Sequence, residues 1–350
     1  MNTTNNEYSD VGGPTQPLLM VQNLVKHFAL NKDMLGRGGG VVRAVDGIDF
    51  AVRKGETLGV VGESGCGKST TARLLMNLTV PDNGDIIFDG QSVGSKDLSL
   101  KEFRRQAQMV FQDSYASLNP RLTIEDSVAF APQVHGVPKQ ESIDRARDLL
   151  QRVGLDPRRF AERYPHELSG GQRQRVNIAR ALALQPRLII LDEAVSALDK
   201  SVEAQVLNLL QDLKDDFGLT YVFISHDLNV VRYISDRVMV MYLGQVVEIG
   251  DCETLFESPK HPYTRALLSS VPSMDPDNRT EEPPLSGDPP NPINPPSGCR
   301  FHTRCVHAQA VCSQVEPKLV TNKAGEGVAC LMHVVGSGHT EAPLVKQEAA

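Results

Sequence analysis

The chain has 350 residues, 40% of them hydrophobic, enough to bury a sizeable core as one large domain with a smaller one beside it. A formal net charge of -7 supplies no net basic field that would favour nucleic acid. Residues 1–17 carry no basic stretch followed by an apolar core, so no secretory signal is read there, and no run approaches the roughly 18 apolar residues of a membrane-spanning helix.

In chain order, residues 1–17 are polar and are expected to be disordered. From residue 18 to about 270, short apolar runs alternate with helical patterns, the signature of an α/β sheet protein. Thr57–Val61 reads as a buried strand, and Leu74, Leu75 and Leu78 as one face of a following helix. Between them, "GESGCGKST" fits the phosphate-binding loop G-x-x-x-x-G-K-[ST]. Gly62, Gly65 and Gly67 free the backbone of Glu63, Ser64, Cys66 and Thr70 to turn N–H groups toward phosphate. Lys68 then neutralises the β and γ phosphates, and Ser69 offers a hydroxyl to magnesium. Cys66 needs only to be small.

Further along, Gln112 ends the apolar run "MVFQ". Thr123 is an N-cap candidate for a helix through "IEDSVAFA", and Ile143, Ala146, Leu149, Leu150 and Val153 recur at helical spacing until Gly154. In "LSGGQ", Leu168 to Gln172, the residues Ser169, Gly170 and Gly171 open a helix whose first N–H groups make a second anion site, or a plain solvated cap. A single phosphate-binding loop alongside it suggests a nucleotide shared between two chains. "RLIILDE" ends in Asp192, placed for magnesium, and Glu193, placed to polarise an attacking water. "TYVFISHD" ends near His226, which could reach the γ-phosphate.

The order of these motifs resembles the ATP-binding subunit of an ABC transporter. The resemblance implies a RecA-like core, an antiparallel β-subdomain and a helical subdomain, with ATP and Mg²⁺ as ligands. It casts Glu193 as general base, His226 as switch histidine and Gln112 as the link from magnesium and water to the membrane subunits. Asp199 falls in the D-loop, Leu168–Gln172 clasps the partner's ATP, and Phe28 is the nearest aromatic for stacking adenine, just before the insertion "NKDMLGRGGG". "FQDSYASLNPRLTI" and "HPYTRALLSSVP", which begins at His261, resemble the ATPases of dipeptide and oligopeptide importers, a subgroup shared with nickel and glutathione importers. Two non-identical ATPase subunits, two membrane permeases and an extracytoplasmic solute-binding protein are then implied, at the cytoplasmic face of the membrane. Related ABC ATPases that act on nucleic acid or ribosomes are disfavoured by the acidic balance and the single ATPase unit. A stand-alone P-loop kinase would leave the signature and the Asp192–Glu193 pair unexplained.

Residues 271–298 are dense in Pro, Asn, Asp and Gly and read as a linker. Residues 299–336 are expected to form a small accessory or regulatory domain around Cys299, Cys305, Cys312 and Cys330, and 337–350 a disordered tail. The gaps are five, six and seventeen residues, without the C-x₂₋₄-C knuckles of structural zinc, although His302, His307 and His333 could complete a looser site. An intracellular setting sets disulfides aside. Four thiolates suffice for a [4Fe–4S] cluster, which some of the peptide-importer ATPases this tail resembles carry there; zinc and free thiols are the alternatives.

Overall fold

Strands in which every residue is buried belong at the centre of a sheet covered on both faces, and Thr57–Val61, Leu188–Asp192 and Thr220–Ile224 are of this kind. The computed structural model describes residues 10–30, 39–270 and 290–343. The strands in chain order are β1 (Leu19–Leu30), β2 (Gly40–Val52), β3 (Thr57–Val61), β4 (Asn83–Phe88), β5 (Gln91–Ser92), β6 (Ala107–Val110), β7 (Leu188–Asp192), β8 (Thr220–Ile224), β9 (Arg237–Tyr242), β10 (Gln245–Asp251) and β11 (Gly327–Val328). The helices are α1 (Lys68–Leu75), α2 (Leu100–Gln106), α3 (Ile124–Val134), α4 (Lys139–Arg152), α5 (Pro157–Phe160), α6 (Gly170–Leu182), α7 (Lys200–Phe217), α8 (Leu228–Ile234), α9 (Cys252–Glu257), α10 (Pro262–Ser269) and α11 (Ala310–Gln314).

Two sheets form. An antiparallel sheet runs β2-β1-β4-β5, and a seven-stranded sheet runs β11-β10-β9-β3-β8-β7-β6. In the second, β9, β3, β8, β7 and β6 are parallel, with β10 and β11 added antiparallel at one edge. Parallel strands place their connecting loops at a common carboxyl end, where ligands of open α/β sheets bind. The phosphate loop follows β3, Gln112 follows β6, Glu193 follows β7 and His226 follows β8, so the topology alone carries four candidate segments to one rim. Helices α3, α4 and α6 pack together beyond β6. Thr123 caps α3 by accepting from the Asp126 N–H at 3.2 Å, and Gly154, at φ 78°, ends the α4 turn.

The tail departs from the expected accessory domain. Phe301, 3% exposed, belongs to the main hydrophobic core and meets Tyr242 and Tyr263 edge-on, each at 5.4 Å between ring centroids. β11 extends the ATPase sheet through Glu248↔Val328 and Ile249↔Gly327. Arg300 pairs with Asp46 and the Leu243 carbonyl. A separate cysteine-bearing regulatory domain is therefore not supported: the segment uses the ATPase core as its own because its few apolar residues cannot make one. Residues 271–289 of the expected linker lie outside the described residues; in 290–298 the Pro292 carbonyl accepts from the Arg43 N–H at 3.3 Å. Residues 1–9 and 344–350 also lie outside. Within the two termini expected to be disordered, Val11 and Gly12 N–H groups bond the Asp89 carboxylate at 2.9 and 3.2 Å, and His307 meets Glu341 at 3.1 Å.

Candidate active site

The phosphate loop is shaped by its glycines. Gly62 and Gly67 hold φ of 151° and 109°, and a Cβ on either would collide with a backbone carbonyl, of Met241 or of Ala44. Gly67 caps α1 without a side chain, which leaves the first N–H groups of α1 to an outside acceptor. Ser64 and Gly65 form the exposed tip, with Thr70 half-buried behind. Lys68 is 5% exposed, and its ammonium donates to the Gly62 and Glu63 carbonyls at 2.7 and 3.1 Å, folded back across the loop it serves. Cys66 is buried beneath, and burial raises its thiol, which suits packing and not redox chemistry.

Ser69 donates its hydroxyl to Asp192 at 2.9 Å. Burial pushes the Asp192 carboxyl up against that hydrogen bond, with the neighbouring Glu193 charge adding to the rise. A hydroxyl and a shielded carboxylate in contact form a donor set fitting a magnesium ion. Beside them the Glu193 carboxylate accepts from Gln112 at 2.8 Å and stands 3.4 Å from His226 Nδ1. Glu193 holds φ 50°, in the left-handed region where side chains are strained, and its N–H is tied to the Ile224 carbonyl at 2.9 Å. The turn thus aims the carboxylate off the strand end instead of into the sheet. The three expected catalytic residues are together.

The signature is elsewhere. Ser169 caps α6 and exchanges bonds with Gln172, Leu168 is buried, and Gly171 lies so close to Val202 of α7 that a Cβ would strike it. Among the described residues, no signature residue bonds the phosphate loop. Asp199 is the exposed N-cap of α7. Phe28 lies on β1, 40% exposed, with Lys26 Nζ 5.6 Å from its ring. Two residues that sequence reasoning missed touch the loop: the Tyr263 hydroxyl accepts from the Glu63 N–H, and Arg304 pairs with the Glu63 carboxylate.

Cys299, Cys305, Cys312 and Cys330 line one cavity of about 20 Å³ together with His302 and His307. Burial raises the thiols of Cys299 to about 12 and Cys330 to about 11, and raises Cys305; N–H groups of Phe301, Met332 and His307 oppose the rise at the respective sulfurs. His333, offered as a ligand, bonds the Lys260 carbonyl at 3.2 Å. Among the described residues no group of three or more His, Cys, Asp or Glu side chains is arranged to hold a metal ion, so the expected cluster or zinc site is not supported as drawn. Cys299, Cys305, Cys312 and Cys330 share the one cavity without a disulfide between them.

Residues 45–196 match the family model described as ABC transporter, and residues 247–312 that described as oligopeptide/dipeptide transporter, C-terminal region. The oligopeptide transport ATP-binding protein AppF of Bacillus subtilis is 48% identical over 91% of this chain and 98% of its own. The chain belongs to the ABC transporter ATPases of the oligopeptide type. A protein of Sinorhizobium fredii described as a probable peptide ABC transporter ATP-binding protein is 50% identical over 89% of each chain. Among solved structures, a Clostridium perfringens protein described as part of an ABC transporter complex superposes with TM-score 0.59 at 27% identity, covering 72% of this chain and 95% of that one. An ATP-binding cassette solved as a dimer bound to ADP and Pi superposes at 0.57 and 29% identity, covering 67% of this chain and 98% of that one. As an ABC ATPase this protein hydrolyses ATP, with ATP and Mg²⁺ the ligands expected. Among the described residues no helix is long and apolar enough to cross a membrane.

Proposed function

We propose that this chain drives import of di- and oligopeptides across the cytoplasmic membrane, as one ATP-binding subunit at its cytoplasmic face. Two permease subunits form the path, a second, non-identical ATPase completes the pair, and an extracytoplasmic binding protein delivers the solute. The observation that carries the paired-subunit reading is an incomplete site: Lys68, Ser69, Asp192, Glu193, Gln112 and His226 converge, while the exposed helix start at Ser169 is capped by Gln172 and makes no bond to them. A second chain's signature fills that gap.

In this mechanism the phosphate loop and Lys68 bind the triphosphate, and Phe28 covers the base. Ser69 and Asp192, with Gln112, hold magnesium, which when bound neutralises phosphate charge. Glu193 orients water and accepts its proton, while Gln112 and His226 hold the carboxylate in place until closure. The four-cysteine segment is proposed as the [4Fe–4S] or zinc site of the subgroup; four thiols on one cavity with N–H donors at three sulfurs support it. Iron content and visible absorbance after anaerobic purification test that part, and colourless, iron-free protein overturns the cluster.

Reconstitution of the complex in proteoliposomes tests the transport reading. Peptide-loaded binding protein should stimulate ATP hydrolysis and peptide uptake together. Stimulation by nickel or glutathione and not by peptides would give the chain to another branch of its subgroup.

A further inference from the structure

Glu63 sits between the end of β3 and the exposed tip of the phosphate loop, and each of its polar groups is engaged. Its N–H donates to the Tyr263 hydroxyl at 2.9 Å. Its carbonyl accepts from Lys68 at 3.1 Å and from the Cys66 N–H at 3.2 Å. Its carboxylate takes both prongs of the Arg304 guanidinium at 2.8 and 3.1 Å. Tyr263 and Arg304 reach it from 200 and 241 residues along the chain, Arg304 lying between two of the cavity cysteines.

The block that presents them is rigid. The Phe301 ring, which also lines the cysteine cavity, stands edge-on to Tyr242 and Tyr263. Tyr242 and Tyr263 are 4.6 Å apart, and Arg304 lies 6.0 Å over the Tyr242 ring while donating to its hydroxyl at 3.3 Å. The Arg304 side chain is 6% exposed and that of Glu63 21%. A two-pronged pair so shielded holds geometry better than a surface ion pair.

The charges make a sharper point. A loop that binds a triphosphate carries an acidic side chain beside its tip, and bare, that carboxylate would repel the ligand. We propose that Arg304 is a positioning residue of the nucleotide site: the C-terminal segment neutralises and fixes Glu63, and thereby sets the affinity of the phosphate loop for ATP. The proposal rests on the nucleotide-site reading and is independent of what is transported. It assigns the tail a direct part in nucleotide handling within its own chain.

The test is calorimetric binding of ATP with Mg²⁺ to the full chain, with thermal unfolding as a check on folding. Arg304→Ala leaves the carboxylate uncompensated and should raise the ATP dissociation constant about tenfold. Glu63→Ala removes charge and partner together and should weaken binding clearly less than Arg304→Ala does, since no repulsion is left. Adding Glu63→Ala to Arg304→Ala should restore most of the affinity, a sign that a purely structural pair cannot give. Arg304→Lys should recover part, returning charge without the fork. In the assembled complex, KM for ATP should rise in Arg304→Ala with kcat held. Parental affinity in Arg304→Ala, or a double variant as weak as Arg304→Ala alone, overturns the proposal. A parent chain that does not bind ATP overturns the nucleotide-site reading with it, whereas failure of peptide transport leaves this result standing.

Discussion

The nucleotide face and the cysteine cavity both gather reactive groups from distant parts of the chain, yet the first keeps its loop tip and switch residues open while burying Lys68 and Asp192, and the second buries Cys312 and Cys330 and half-buries Cys299 and Cys305. Ser64, Gly65, Gln112, His226 and Ser169 are exposed, whereas Cys312 and Cys330 are each 8% exposed and His261 1%. Exposed polar groups on a rigid rim lose little by waiting for a ligand, since water satisfies them meanwhile. Closed groups must be satisfied within the chain, as the N–H donors at three of the sulfurs show. The difference teaches where each region acts: the open face on nucleotide and a second chain, the closed one on the chain that contains it.

The largest expected effect breaks the open face. Glu193→Gln keeps the size of the side chain and loses the proton acceptor, so turnover in the assembled complex should fall by about 10²- to 10⁴-fold. ATP binding should persist, because Lys68 and the loop are untouched. Steady-state hydrolysis beside equilibrium binding checks both, and a variant that turns over at the parental rate would place the base at another residue.

Next comes the closed region. Phe301→Ala should cost about 3–5 kcal/mol, the range for emptying a buried aromatic site. Since Phe301 packs against Tyr242 and Tyr263, the loss should lower the single unfolding transition of the whole chain. A separate early transition with the remainder unshifted would restore the independent domain that the sequence suggested.

How far this contrast was legible depends on range. The phosphate loop, the Thr123 cap, the α4 stripe and the Ser169 helix start are local patterns, each contained in a dozen or so residues, and each folded as read except at two points: α1 ends at Leu75 and leaves Leu78 exposed, and the Glu63 and Cys66 N–H groups bond within the chain. The convergence of Gln112, Glu193 and His226 needed only the rule that parallel strands share a carboxyl end. The tail was misread because its three decisive contacts leave no local trace. Arg304 among cysteines looks like any surface arginine, and β11 is two residues long. Phe301 stands nearly alone among polar neighbours, and only the aromatic pair of Tyr242 and Tyr263 explains it. "HPYT" marked a subgroup, without showing that its tyrosine hydroxyl holds the loop.

The smallest effect sharpens the closed side. His261 is buried at the start of α10; its ring Nδ1 accepts from the Tyr263 N–H at 3.0 Å, and its backbone N–H donates to the Glu248 carboxylate at 2.9 Å. Burial, reinforced by His333, lowers its pKa from 6.5 to about 3, so the folded chain keeps the ring neutral. Below about pH 6.5 the unfolded chain takes up a proton that the folded chain does not. Its contribution to stability is therefore present above that pH and is lost as pH falls toward 3, at up to about 1.4 kcal/mol per pH unit. His261→Asn keeps an acceptor for the Tyr263 N–H but cannot titrate in this window. Its melting temperature should start lower at pH 7.5 and fall less steeply between pH 6 and 5 than that of the parent. Parallel slopes would mean that His261 gains its proton without unfolding, and hence that the closed region opens to water more readily than its burial implies.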